Sequence, residues 1–174
     1  MPTSSDWAVW DSAVATAANC TNEPLSGALS LGGIQILNPA AAITITNIGK
    51  VLTIGSLGID MNEPATTADL YLICQVTTSG AQSWNIKCGR KLNLFEGSSQ
   101  AVTVGGDLAI NGYVNLNDKD FRIGTATLNL TNDATVLDFT PASGMSFSVG
   151  YAGNGTVLGE YARESRIFVP ASFI

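Results

Sequence analysis

Histidine is absent from these 174 residues, and charge is scarce, with 8 Lys+Arg against 14 Asp+Glu. Without an imidazole there is no Ser-His-Asp or Cys-His nucleophile pair, no His-ligated zinc and no use of the commonest general base. The three cysteines, Cys20, Cys74 and Cys88, form no CxxC knuckle, and an odd number cannot pair fully within one chain. Cys74 lies in an apolar run and Cys88 stands just before a turn glycine. They are expected as two small buried thiols, with a link between neighbouring layers as the alternative. The basic residues do not cluster beyond Lys87, Arg90 and Lys91. That trio is too short to displace a phosphate backbone's counterions, and the net charge is −6, so no nucleic-acid partner is expected. No apolar run approaches the roughly 18 residues of a membrane-spanning helix. The first residues lack a basic segment followed by an apolar one, so no signal peptide is legible. The chain is expected to be a mature or trimmed piece, or to leave its cell by another route.

What is there is apolar and small. Hydrophobic residues make up 45% and charged residues 13%, which argues for an ordered core. Gly, Ala, Ser, Thr and Asn fill much of the rest, a mixture suited to short strands and tight turns. Apolar-x-apolar triplets, the local mark of a half-buried strand, begin at Leu29, Ile34, Ile43, Leu52, Ile59, Leu70, Trp84, Leu92, Val102, Leu108, Val114, Phe121 and Leu128. Their middle residues are mainly polar: Ser30, Thr44, Thr53, Asn85, Asn93, Thr103, Asn115, Arg122 and Asn129. One face points in and one points out.

Sandwich strands are longer and recur about every 8–12 residues. Here the triplets recur nearer every seven, as in GYVNLNDKDFRIGTATLNL at 112–130, where Val114, Phe121 and Leu128 open successive triplets. Three such strands make a coil of roughly 20–25 residues, a repeat-unit length. The expected fold is all-β: a single-domain parallel β-solenoid (β-helix) of about five coils, with capping segments at both ends. Residues 1–25 form the N-terminal cap, 26–140 the solenoid and 141–174 a C-terminal cap or assembly arm. Trp7, Trp10, Val14 and Ala17 fall at helical spacing behind Ser5 or Asp6, which predicts a short amphipathic helix over 6–18. A first strand carrying both tryptophans is the alternative.

SGALSLGGIQILNPAAAITITNIGKVLTIGSLGIDM (26–61), followed by SWNIKCGRKLNLFEGSS, resembles autotransporter-associated β-strand repeat proteins, within the wider group of haemagglutinin-like and passenger-type right-handed β-helices on bacterial surfaces. The matching parts are Gly32–Ile36, Leu52–Gly55, Gly58–Met61 and the run from Gln82 to Leu92, within roughly residues 25–110. Such proteins are usually long, secreted and built of many repeats. The resemblance implies an extracellular or cell-surface location. At 174 residues, this chain is expected to gain length by assembling instead of by repeating.

Chemistry is sparse. The glycine-rich stretches at 105–112 and 150–155 precede no phosphate-binding helix pattern. Carboxylates survive as the enzymatic option: Asp107, Asp118, Asp120, Asp133 and Asp138, of which 118, 120 and 133 read as turn residues. NDKD at 117–120 offers oxygens to Ca²⁺ but lacks the glycine and distal glutamate of an EF-hand loop. An ice-binding ladder is broken, since Thr44–Thr46 and Thr125–Thr127 do not recur on most strands. Asn19, Asn129 and Asn154 open Asn-x-Thr sequences. Trp84 opens a triplet and should point inward, whereas Tyr71 and Tyr113 should face out.

These observations give no catalytic residue, cofactor or metal, and no enzyme is expected. The expected function is a structural building block that self-associates end to end, through Trp7 and Trp10 at one end and Ile167, Phe168, Val169, Phe173 and Ile174 at the other. The alternatives are a glycan-binding adhesin or phage fibre segment and, behind it, a polysaccharide-processing enzyme.

Overall fold

A triplet with apolar first and third residues can bury them only if its neighbours do the same on the same side. Stacking successive turns of the chain achieves this, because each strand then hydrogen-bonds to its equivalent one turn away. The computed structural model describes residues 3–14, 16, 20, 23–24, 27–94, 101–116, 120–122, 127–131, 136–138, 156–159 and 166–168. Its elements are strands, joined in one 15-stranded sheet. Every pairing among the described residues is parallel. The molecule is a β-solenoid whose turns have three sides.

The first side stacks β1 (Trp7–Trp10), residues 33–36 of β3 (Leu29–Ile36), residues 58–61 of β4 (Ile43–Met61), β6 (Gln82–Ile86), β9 (Leu108–Asn111), β12 (Thr127–Leu130) and β14 (Thr156–Gly159). The second stacks β2 (Glu23–Pro24), residues 43–46 of β4, residues 70–73 of β5 (Leu70–Thr78), β7 (Lys91–Leu94), β10 (Tyr113–Asn115), β13 (Val136–Asp138) and β15 (Arg166–Phe168). The third is formed by residues 29–31, 51–54 and 75–78, then β8 (Ala101–Val104) and β11 (Asp120–Arg122). Four successive turns between Gly33 and Arg122 have all three sides in strand. Val114, Phe121 and Leu128, evenly spaced in the sequence, lie on the second, third and first sides in turn.

The core is a set of aliphatic columns running along the axis. Ile34, Ile59, Trp84 and Ile110 align on the first side, one from each successive turn. Leu70, Leu92 and Val114 align in the same way on the second. All seven are fully buried, and each of the aliphatic ones contributes on the order of 1.5–3 kcal/mol of burial. Trp84 carries a donor into this interior. Its indole N–H donates to Gln82 Oε1 at 2.9 Å, and Gln82 Nε2 donates to the Ile54 carbonyl at 3.0 Å, so the buried polar atoms are satisfied in series.

The N-terminal segment differs from the helix expected over 6–18. Trp7–Trp10 is a strand, paired with Gly33–Ile36. Tertiary contact overrides the helical spacing. Gly33 has no side chain, and a Cβ there would lie 2.6 Å from the Trp7 ring, so the indole seats on bare backbone. Asp6 does not cap forward as an N-cap would. Its carboxylate accepts from the Thr3 hydroxyl at 2.7 Å and the Thr3 amide at 2.9 Å, which holds its pKa below the ordinary value. Its own carbonyl accepts from Gly32 and Gly33.

Candidate functional site

Of the residues expected at the interface, Trp7 and Trp10 fall at one end of the stack and Ile167 and Phe168 at the other. Trp7 and Trp10 are half-buried on β1, which begins the first side and pairs with β3 alone among the described residues. Ala8 and Cys20 belong to the buried core, with Trp10 and Val14 packed against it, while Val9 is 46% exposed. Ile167 and Phe168 lie on β15, which ends the second side opposite Leu137 and Asp138. Val169, Phe173 and Ile174 lie outside the described residues. Within one chain the two described pairs are not brought together, because the columns separate them.

The acids do not converge either. Asp120 is placed on the third side, Asp138 on the second, and Asp107 at the corner leading into the first. Asp118 and Asp133 lie outside the described residues, as do Asn19 and Asn154. Asn129 is within β12, and Thr131 of the same Asn-x-Thr donates its hydroxyl to the Ile110 carbonyl at 3.1 Å. No group of His, Cys, Asp and Glu able to hold a metal ion occurs among the described residues.

Among the aromatics, Trp84 points inward as expected. Tyr71 and Tyr113 are half-buried on the second side, in columns on either side of the inward Leu70, Leu92 and Val114. Lys91 Nζ lies 4.6 Å from the Tyr113 ring centroid, a cation–π contact along the stack. Asn93, expected to face outward, is only 4% exposed. It sits between Tyr71 and Asn115 in one column and accepts from Asn115 Nδ2 at 3.4 Å, so its neighbours along the axis cover it. None of Cys20, Cys74 and Cys88 is in a disulfide. Cys74 is buried as expected, but Cys88 is exposed, because it occupies the tip of the turn closed by the Arg90 amide donating to the Lys87 carbonyl.

The alternation of triplets gave no signal for a groove of about 500 Å³ at the corner between the third and first sides. It runs along the axis past Ser56 and Leu57, Ser83, Asp107 and Ala109, and Asn129. The corner is bare because the backbones of successive turns approach closely there. Gly58 has φ +76°, and a Cβ on it would fall 2.1 Å from the Ser83 carbonyl oxygen. Ser56, Ser83 and Asp107 are exposed, and Asn129 Oδ1 is buried with no hydrogen-bond partner among the described residues. These residues are far apart in sequence. The stacking register of the first side, once known, aligns Ser83 with Ala109 and Ala109 with Asn129.

In comparisons with known proteins, no family model, no curated protein and no solved structure matches the chain.

Proposed function

We propose that the protein is a non-catalytic β-solenoid building block that self-associates end to end, on a cell surface or outside the cell, in the manner its resemblance to autotransporter-associated β-strand repeats implies. One observation carries this reading. The first- and second-side columns run through to terminal strands, β1 at one end and β14 and β15 at the other, each with one strand partner among the described residues. A parallel edge carries unpaired N–H and C=O groups that the far end of a second copy can satisfy. Such a contact is head-to-tail, and it propagates as a filament. The scattering of the acids over three sides supports a structural role over a polysaccharide-processing one. No helix among the described residues is long and apolar enough to cross a membrane.

The test is negative-stain electron microscopy of the purified chain at micromolar concentration. Among the described residues each copy contributes seven rungs to the first side. At about 4.8 Å per rung, the filament should repeat roughly every 34 Å. Deleting residues 165–174 should abolish the filaments while leaving the strand signal in circular dichroism. Discrete particles from the intact chain would reject self-assembly, and filaments that survive the deletion would remove the C-terminal end from the contact.

A further inference from the structure

We propose that the corner groove binds an unbranched neutral oligosaccharide laid along the solenoid axis, an activity separate from assembly at the ends. At about 500 Å³ the groove is within the range of ligand sites. Its direction selects an extended, repeating ligand. Ser83, Ala109 and Asn129 occupy one column on three successive turns, and turns rise by about 4.8 Å, close to the length of one pyranose unit. A glycan chain can therefore meet one outward residue of this column at each step.

The lining selects the chemistry. It holds the Ser56 and Ser83 hydroxyls, the Asp107 carboxylate and the Asn129 amide, and no Lys or Arg. That set matches hydroxyl groups, which both donate and accept, and it disfavours phosphate, sulfate and uronate chains. Asn129 Oδ1, with no partner among the described residues, costs free energy until a donor reaches it. A sugar hydroxyl supplies one once the amide turns into the groove. Leu57, 38% exposed at one end of the groove, offers an apolar surface to the C–H face of a ring. The groove lies on the flank of the solenoid, so a second copy stacked on an end leaves it open.

The experiment is titration calorimetry of the full chain with cellohexaose, chitohexaose, mannohexaose and xylohexaose, and with hexalysine as the cationic alternative. The expected result is saturable binding of at least one hexasaccharide with Kd below about 1 mM, at least about tenfold tighter than its monosaccharide. Ala109→Trp, which fills the groove from an outward position, should weaken that binding at least about tenfold. Asp107→Ala should also weaken it, which keeps the test valid if the tryptophan variant loses its strand signal. Deleting residues 165–174 should leave the titration unchanged, so failure of assembly and failure of the groove are told apart. No binding of any hexasaccharide up to about 10 mM would overturn the proposal. Binding indifferent to both groove variants would do the same, as would groove-dependent binding of hexalysine alone.

Discussion

Gly58 and Gly49 both adopt positive φ, at +76° and +83°, yet they are held for different reasons. At Gly49 an added Cβ meets nothing within 4 Å, so only the backbone conformation resists a side chain. Ala there should cost about 1–2 kcal/mol, the ordinary penalty for an L-residue in the left-handed region. At Gly58 the same Cβ also meets the Ser83 carbonyl at 2.1 Å, so the β6 strand of the next turn must move. Gly58→Ala should lose roughly 1–3 kcal/mol more than Gly49→Ala, given the cost of overpacking a tight contact. Urea denaturation of both variants measures the difference, and equal midpoints would show that the turns are less tightly stacked than described. Sequence reading at this scale succeeds where alternation decides direction and fails where the next turn decides burial. Trp84 opens a triplet, and its place in the core follows from that alone. The covering of Asn93 depends on Tyr71 in the turn before and Asn115 in the turn after, and nothing local announces it.

Between elements, the longest described connection in the solenoid, residues 62–69, is held by cations from the following turn. Lys87 Nζ donates to the Pro64 carbonyl and, at 3.1 Å, to the Thr66 carbonyl. Arg90 donates to the Thr67 carbonyl and lies 3.8 Å from Asp69, which also accepts from the Lys91 amide at 2.9 Å. From the other side, the buried Thr66 hydroxyl donates to the Ile36 carbonyl at 2.9 Å. The loop is therefore pinned to the turns on both sides of it. Lys87→Met should speed hydrogen exchange of the backbone amides over 62–69, Pro64 having none, while lowering global stability by less than about 1 kcal/mol, since these charges keep contact with solvent. Unchanged exchange would mean that Arg90 and Thr66 fix the loop without Lys87. The basic trio at 87–91 attracts notice in the sequence only as a failed phosphate site. Lys87 and Arg90 act on carbonyls of the preceding turn, and carbonyls carry no residue identity, so no motif could reveal it. The helical reading of Trp7 and Trp10 fails for a related reason. Spacing describes one segment, but the bare Gly32-Gly33 backbone to which that segment docks belongs to the next turn.

For the molecule as a whole, the architecture is legible because short strands leave a period-two mark and glycine, asparagine and aspartate mark the corners. The register is not, because the same turn advances further on the first side, from Ile59 to Trp84, than on the second, from Leu70 to Leu92. Connections of unequal length absorb the difference, and only the corner contacts fix which triplets stack. Once the register is known, it makes a strong demand on energetics. Each turn touches mainly the turns before and after it, so stability is close to a sum over turns and their interfaces. A turn should then be repeatable. Inserting a second copy of the segment 58–82 after Gln82 keeps the first-side period that sets Ile59 on Trp84. It sets Ile59 on Ile59, Leu70 on Leu70 and Val76 on Val76, and each Gly58 again faces a neighbouring carbonyl. The longer chain should fold with an unchanged strand signal per residue, and its urea m-value should rise with the added buried surface. A loss of strand signal per residue would show that the turns are specialised by position. In that case the columns of Ile, Leu and Val would be necessary to the fold without being interchangeable units of it.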